Sequence, residues 1–318
     1  MNPIARIRQA LQWRRRAHRL ERFAARLRSV RSANPFVVIV MPGSLHVARL
    51  ALQKVPGHID RLIVLNGLPA WEAKLAHELF HGQPVVACEA LMEHDQVLDL
   101  LLDNLDGDFG ILDYDCFVLD PVHFDHMRVL REGSLMNACF SRRHPQTGLR
   151  VPETFFLFFN RGAIQSLKAR YGVTSRPVRW AQLPDACRDK LALHGLSADL
   201  LPEAHKDYFD TLRVLMMLGQ AEGLELTFLA DFPASPTPSG EIFHVGGIST
   251  PNLVDGLWRF RGAYFWRMVL ERCALDELKE RYLRIYGRQS AEDLKAAHPN
   301  WSSEVSEEFF DFCRRLVA

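Results

Sequence analysis

No run of about 18 apolar residues occurs in the 318-residue sequence, so no segment reads as a membrane-spanning helix. No C-x-x-C pair occurs either. The six cysteines are scattered at 88, 116, 139, 187, 273 and 313, which excludes a zinc ribbon and a disulfide framework. They read as reduced thiols of a cytoplasmic protein. G-x-x-x-x-G-K-[ST], G-x-S-x-G and H-E-x-x-H are all absent, which removes the P-loop, nucleophile-elbow and zincin chemistries. There is no internal repeat and no long low-complexity tract. Acid is nearly missing from residues 1–31, which hold ten arginines against Glu21 alone, a local charge of +9. A chain of net charge +1 therefore carries −8 on the remainder, a basic arm on an acidic body.

The arm reads as a basic amphipathic helix. Ile4, Ile7 and Leu11, then Trp13, Ala17, Leu20, Phe23, Ala24, Leu27 and Val30, recur at spacings of three and four, with a slip of register between Leu11 and Trp13. It has no apolar h-region of a secretory signal, while an Arg-rich, acid-poor composition is also that of a mitochondrial transit peptide. Two readings compete. Basic amphipathic helices lie on anionic membrane surfaces, which makes residues 1–31 a candidate peripheral contact. The alternative is a solvated helix packed on the acidic body. The acidic body argues against a nucleic-acid partner.

From residue 34 the pattern alternates. "PFVVIVMPG" (35–43), "IDRLIVLNG" (59–67), "QPVVAC" (83–88) and "FGILDYD" (109–115) read as strands, separated by helical stretches at about 44–55, in "AWEAKLAHELF" and over 93–105. Strands alternating with such helices predict βαβ units and a parallel sheet, whose ligands bind at the carboxyl ends of the strands. Further strands are expected at 134–141, 154–160, 224–230 and 241–247, with a polar loop over 142–153. Helices are expected at 163–172 and 205–223, and from about 252 to the end.

The chemistry concentrates in "GILDYDCFVLDP" (110–121). A buried unpaired carboxylate is costly, yet Asp113 and Asp115 sit together at a strand end. In an extended segment residues i and i+2 face one side, so both can address one ligand, and carboxylates suit a hard divalent cation. Asp120 reads as turn chemistry before Pro121. Lower-ranked candidates are His123, Asp125 and His126 as a zinc pair without companions, Arg142 and Arg143 in a mobile anion loop or simply solvated, and Trp180 as a sugar-stacking ring.

Taken in order, "FVVIVMPG", "LIVLNG", "GILDYDCFVLDP", "TFFLFFNRGAI", "DYFDTLRVLMMLGQAEG" and "FHVGGISTP" resemble a nucleotide-sugar glycosyltransferase of the GT-A fold over residues 34–250. The resemblance implies an α/β, Rossmann-like, mostly parallel sheet flanked by helices. It divides the chain into a basic helical arm (1–33), a catalytic domain (34–250) and a C-terminal helical extension (251–318). It implies that Pro42, Gly43 and Asn66 hold the nucleotide, with Asp113 and Gly247 near the ribose and diphosphate. Asp113, Asp115 and His244 would hold Mn²⁺ or Mg²⁺. Asp210, with Asp207 one turn earlier as its rival, would be the general base of an inverting hexosyltransferase. Helix capping is the other reading of either acid.

The spacing His244, Gly247, Thr250 and Pro251 is also similar to that of retaining members, though Thr250 stands where they have Lys and Asn252 where they have Trp. The implied partners are a UDP- or GDP-type donor and a glycan or glycolipid acceptor at the inner face of the membrane. A D-x-D phosphohydrolase is the alternative from another class, but there the pair falls on the first strand. A sugar nucleotidyltransferase would need a Gly-rich first loop, which "MPGSLHVAR" is not.

Overall fold

The computed structural model describes residues 3–202, 206–231, 242–248 and 252–318, with side chains from residue 16 onward except at 230, 231 and 273. A long helix α1 (Pro3–Arg28) leads into the alternation β1 (Phe36–Val40), α2 (Leu45–Leu52), β2 (Arg61–Asn66), α3 (Ala70–Leu79), β3 (Val85–Cys88), α4 (His94–Asn104) and β4 (Phe109–Leu112). Then follow β5 (Cys116–Val118), α5 (Val122–Arg128), β6 (Ser134–Arg143), β7 (Arg150–Pro152), β8 (Phe156–Phe159), α6 (Arg161–Tyr171), β9 (Val178–Arg179) and α7 (Asp185–Ala192). β10 (Tyr208–Phe209), α8 (Arg213–Ala221), β11 (Glu225–Asp231) and β12 (Ile242–His244) precede the last helices: α9 (Leu257–Cys273), α10 (Asp276–Tyr286), α11 (Ala291–Ala297), α12 (Pro299–Glu304) and α13 (Glu307–Leu316).

The central sheet runs β11-β6-β8-β4-β1-β2-β3, with β7 paired to β6. β3, β2, β1 and β4 are parallel, and β6 is parallel to β11. β8 is inserted antiparallel between β4 and β6. This is the expected mostly parallel α/β sheet. β1 shows why it sits at the centre. Phe36, Val38 and Val40 point into one core cluster with α2, α9 and α13, while Val37 and Ile39 point into the other with α4, α6 and α8. A strand apolar on both faces must be covered on both.

Three expectations are revised. Asp113 to Asp115 are not the end of a strand: β4 stops at Leu112, and the amide of Cys116 donates to the carbonyl of Asp113 at 2.9 Å, closing a turn into β5. The polar loop over 142–153 is instead a hairpin of β6 and β7, with Arg142 paired to Glu153 at 2.6 Å. The helix expected from residue 205 begins at Arg213, because Tyr208 and Phe209 pair with β9 and Leu212 takes a left-handed turn at φ 65°. Residues 203–205, 232–241 and 249–251 lie outside the described residues, and Thr250 and Pro251 with them.

The arm is one helix, and its second half is docked. Phe23, Ala24 and Leu27 are buried against β3 and α4. Arg22 and Arg26 pair with Glu89, and Arg28 donates to Asn104 at 2.6 Å. Ile4, Ile7, Leu11 and Trp13 lie outside the described side chains. The C-terminal helices share the sheet's core: Phe265 packs on Phe117, Phe312 on Phe243, and Trp266 is fully buried. Among the described residues no helix is long and apolar enough to cross a membrane.

Candidate metal and donor site

Two segments more than a hundred residues apart build the site. β12 pairs antiparallel with β5, which sets His244 opposite Cys116, the residue after Asp115. The amide of Val245 donates to the carbonyl of Asp115 at 3.1 Å and extends the ribbon to the turn. The turn is anchored on its other side, where the amide of Asp113 donates to the carbonyl of Phe155 at 2.8 Å. The Phe155 ring stacks on the His244 imidazole at 4.3 Å between centroids and fixes its plane.

The result is a convergence of three ligand-type side chains. His244 Nε2 lies 3.3 Å from Asp115 Oδ1 and 3.7 Å from Asp113 Oδ2. One ligand atom from each residue lies within 4.8 Å of the others, and among the described residues this is the group able to hold a metal. Burial pushes the Asp113 carboxyl above the usual carboxylate range; His94 and His244 draw it back down, and Asp115 pushes it further up. Burial pushes the His244 imidazole down, but Asp115, Asp113 and Glu153 outweigh burial and hold it above its ordinary value. A buried and a partly buried carboxylate sharing one imidazole are short of positive charge, and two oxygens with one nitrogen are a donor set a divalent cation accepts. The residues fit the implied metal.

The other donor-site candidates stand differently. The backbone of Gly43 is engaged on both sides: its amide donates to the buried Glu72 at 2.7 Å and its carbonyl accepts from Trp266 Nε1 at 2.7 Å. Tyr282 also donates to Glu72, so α9 and α10 hold the loop after β1. Pro42 is half-buried beside it. Asn66, fully buried, donates to the carbonyl of Met92 at 2.8 Å and accepts from its amide at 3.0 Å, tying β2 to the chain after β3. Gly247 has φ 71°, and a Cβ there would press on the carbonyl of Trp258 at 2.5 Å, so close packing on α9 accounts for the glycine.

Asp210 and Asp207 lie away from this cluster in the described contacts. Asp210 is paired with Lys206 and accepts from the Thr211 amide at 2.8 Å. Burial raises its pKa, but Lys206 and Thr211 prevail and lower it. Neither acid caps α8, whose N-cap is Leu212. Asp207 is exposed and 3.5 Å from Arg179. Phe209 and Leu212, on either side of Asp210, belong to the core cluster of the opposite sheet face from Tyr114 and Phe117. A bridge between the two regions exists, since Arg213 donates to the carbonyl of Pro152, next to Glu153.

Three neighbours of the triad are not apparent from the motifs. Glu153 borders it beside Phe155, and His94 at the start of α4 acts on Asp113. Trp258 lies edge-on to His244 at 5.9 Å. The signal for His94 was its place, the first turn after the third parallel strand. Nothing in the sequence pattern marks Glu153. Of the lower candidates, Asp125 pairs with His58 at 3.1 Å, and Trp180 stacks on Phe209 at 6.3 Å. Asp120 accepts from the Val122 amide at 3.0 Å, the turn role expected of it.

Residues 10–164, just under half of the chain, match the model of the StrH glycosyltransferase N-terminal domain. The resemblance to the nucleotide-sugar glycosyltransferases is borne out. The glycosyltransferase match takes in β1 to β4 with Asp113 and Asp115 and ends before Asp210 and His244. A dTDP-dihydrostreptose–streptidine-6-phosphate dihydrostreptosyltransferase of Streptomyces griseus is 32% identical over 91 residues, 29% of this chain. The aligned part spans about a quarter, 24%, of that relative's length. Among solved structures, the glycosyltransferase GlyE of Streptococcus pneumoniae aligns with a TM-score of 0.41 at 12% identity, over 80% of this chain and 64% of GlyE. A cytidylyltransferase of Leptospira borgpetersenii aligns with a TM-score of 0.35 at 11% identity, over 87% of this chain and 98% of its own.

Proposed function

We propose that the protein is a metal-dependent glycosyltransferase that moves a sugar from a nucleotide-diphosphate donor to the hydroxyl of a glycan or glycolipid acceptor. The observation that carries this reading is the convergence of Asp113, Asp115 and His244 at the carboxyl edge of the parallel sheet, two of the three inside the glycosyltransferase match. Asp113, Asp115 and His244 hold Mn²⁺ or Mg²⁺ in this reading. The metal supplies positive charge to the diphosphate as it departs. Phe155 fixes the His244 ring, and the β5–β12 ribbon fixes the turn, so the ligands are oriented before the donor arrives. Pro42, Gly43 and Asn66 shape the nucleotide end, and Gly247 borders the diphosphate.

The transfer is inverting in this reading, and Asp210 takes the proton of the attacking hydroxyl, with Asp207 as its rival. The Asp210 carboxylate is ionised, the form a base needs, but its pairing with Lys206 lowers its proton affinity, so the attacking hydroxyl has to displace Lys206. The donor is of the UDP or GDP type. The Streptomyces relative's name carries a dTDP-sugar, so dTDP donors belong in the same test. The N-terminal helix serves peripheral contact with an anionic membrane, supported by its nine arginines against one acid.

The test is nucleotide release from a panel of UDP-, GDP- and dTDP-sugars with Mn²⁺ or Mg²⁺. Release should fall by about 100-fold or more in Asp113→Ala and Asp115→Ala, the scale of losing transition-state charge stabilisation. Phosphomonoester hydrolysis without nucleotide release would favour the phosphohydrolase and contradict the proposal. Product with retained anomeric configuration would refute Asp210 as the base of an inversion.

A further inference from the structure

The inference rests on the transferase reading and concerns its second substrate. Trp258 is an anomaly on α9. From Phe260 to Leu270 every residue of that helix is buried, and the expected apolar face of Leu257, Phe260, Tyr264, Phe265, Met268 and Val269 does not include it. Trp258 instead keeps half its surface, 50%, in solvent. A large exposed aromatic beside a polar site presents an apolar face where a ligand would lie.

Its position is also fixed. The covered part of the indole lies against Gly246, at φ 69°, where any Cβ would fall inside the ring. The Gly246-Gly247 pair thus makes room for the indole. The indole lies 5.9 Å from the His244 ring, inclined at 64° to it. The first turn of α9 therefore lies beside His244. An indole pinned on one side and open on the other offers contact area with little entropy left to lose. The apolar C–H face of a sugar ring complements the electron-rich face of an indole.

We propose that Trp258 is the platform on which the sugar ring of the acceptor stacks beside the metal ligands. It fixes the acceptor and leaves the donor nucleotide to the loops after β1 and β2.

The experiment labels the full chain with 5-fluorotryptophan and follows the six indoles by ¹⁹F NMR. Trp258→Phe identifies the resonance. Mn²⁺ alone should broaden the Trp258 line most. Methyl glycosides of glucose, galactose and rhamnose are then titrated in the presence of UDP, GDP or dTDP. At least one should shift the Trp258 line saturably. By titration calorimetry, the half-saturating glycoside concentration should rise about tenfold in Trp258→Ala relative to the wild type, with a smaller rise in Trp258→Phe. The melting-temperature increase given by nucleotide with Mn²⁺ should persist in both variants. If that increase persists but no glycoside moves the line, the inference fails and the transferase reading stands. A line moved by nucleotide alone overturns the acceptor assignment in favour of the donor. Failure of every nucleotide to bind the wild-type protein with Mn²⁺ sinks the transferase reading and the inference together.

Discussion

His46 shows at the scale of one residue how burial alone writes a pH dependence. It sits on α2, fully enclosed, with Nε2 donating to the carbonyl of Trp266 at 3.0 Å and no partner for Nδ1 among the described residues. Burial lowers its pKa from 6.5 to about 3, with the Trp266 bond a smaller opposing effect. The folded value is below the unfolded one, so the unfolded chain binds more protons as the pH drops. The stabilisation is therefore complete above pH 6.5 and is lost as the pH falls toward 3. Going from pH 7 to pH 5 should cost about 2 kcal/mol through this group. Chemical denaturation at the two pH values checks it. His46→Gln should show a smaller acid loss than the wild type by that amount, and an equal loss would contradict the account. The candidate ligands were more legible than this histidine. Asp113 and Asp115 stand out because two acids at a strand end have no reason to be there without a partner. His244 stands out by ending an apolar strand before a Gly-Gly pair. Their contact was not legible, because it depends on the register of β5 with β12, and β5 is three residues of an apolar run with no turn signal of its own.

At the scale of elements, the parallel half was readable because each strand is an apolar run ended by Pro-Gly, Asn-Gly or an acid, and each helix has its own apolar face. β8 was readable as a strand but not as an antiparallel insertion, since a strand buried on both faces reads the same in either direction. The start of α8 was misplaced because apolar spacing continues through residues that pair with β9 instead. The arm divides the same way. Its apolar spacing predicted a helix, and the docking of Phe23 and Leu27 on β3 and α4 needed the structure. Deleting residues 1–28 should accordingly do two things. Binding to vesicles rich in anionic lipid should be lost, and the melting temperature should fall because a core face is uncovered. Retained vesicle binding would remove the membrane role, and an unchanged melting temperature would contradict the docking.

At the scale of the whole molecule, the last five helices are part of the sheet's own core. Trp266, Phe265 and Tyr264 of α9 are buried with β1, α2 and β5, and Tyr282 of α10 donates to Glu72 beneath the loop after β1. A chain ending at residue 256 should therefore fail to melt cooperatively and should expose apolar surface to a hydrophobic dye. A sharp thermal transition in that truncation would show that the sheet folds without α9. The same packing links the C-terminal helices to the candidate site, because they hold both the Gly43 loop and, through Gly246 and Gly247, the segment carrying His244. The claim on which the functional reading turns is that Asp113, Asp115 and His244 form one metal site under a nucleotide diphosphate. Crystals grown with Mn²⁺ and UDP, GDP or dTDP test it by anomalous scattering. The account predicts a manganese peak shared by those three side chains and the diphosphate oxygens in at least one complex. A bound nucleotide whose manganese touches none of the three would contradict it.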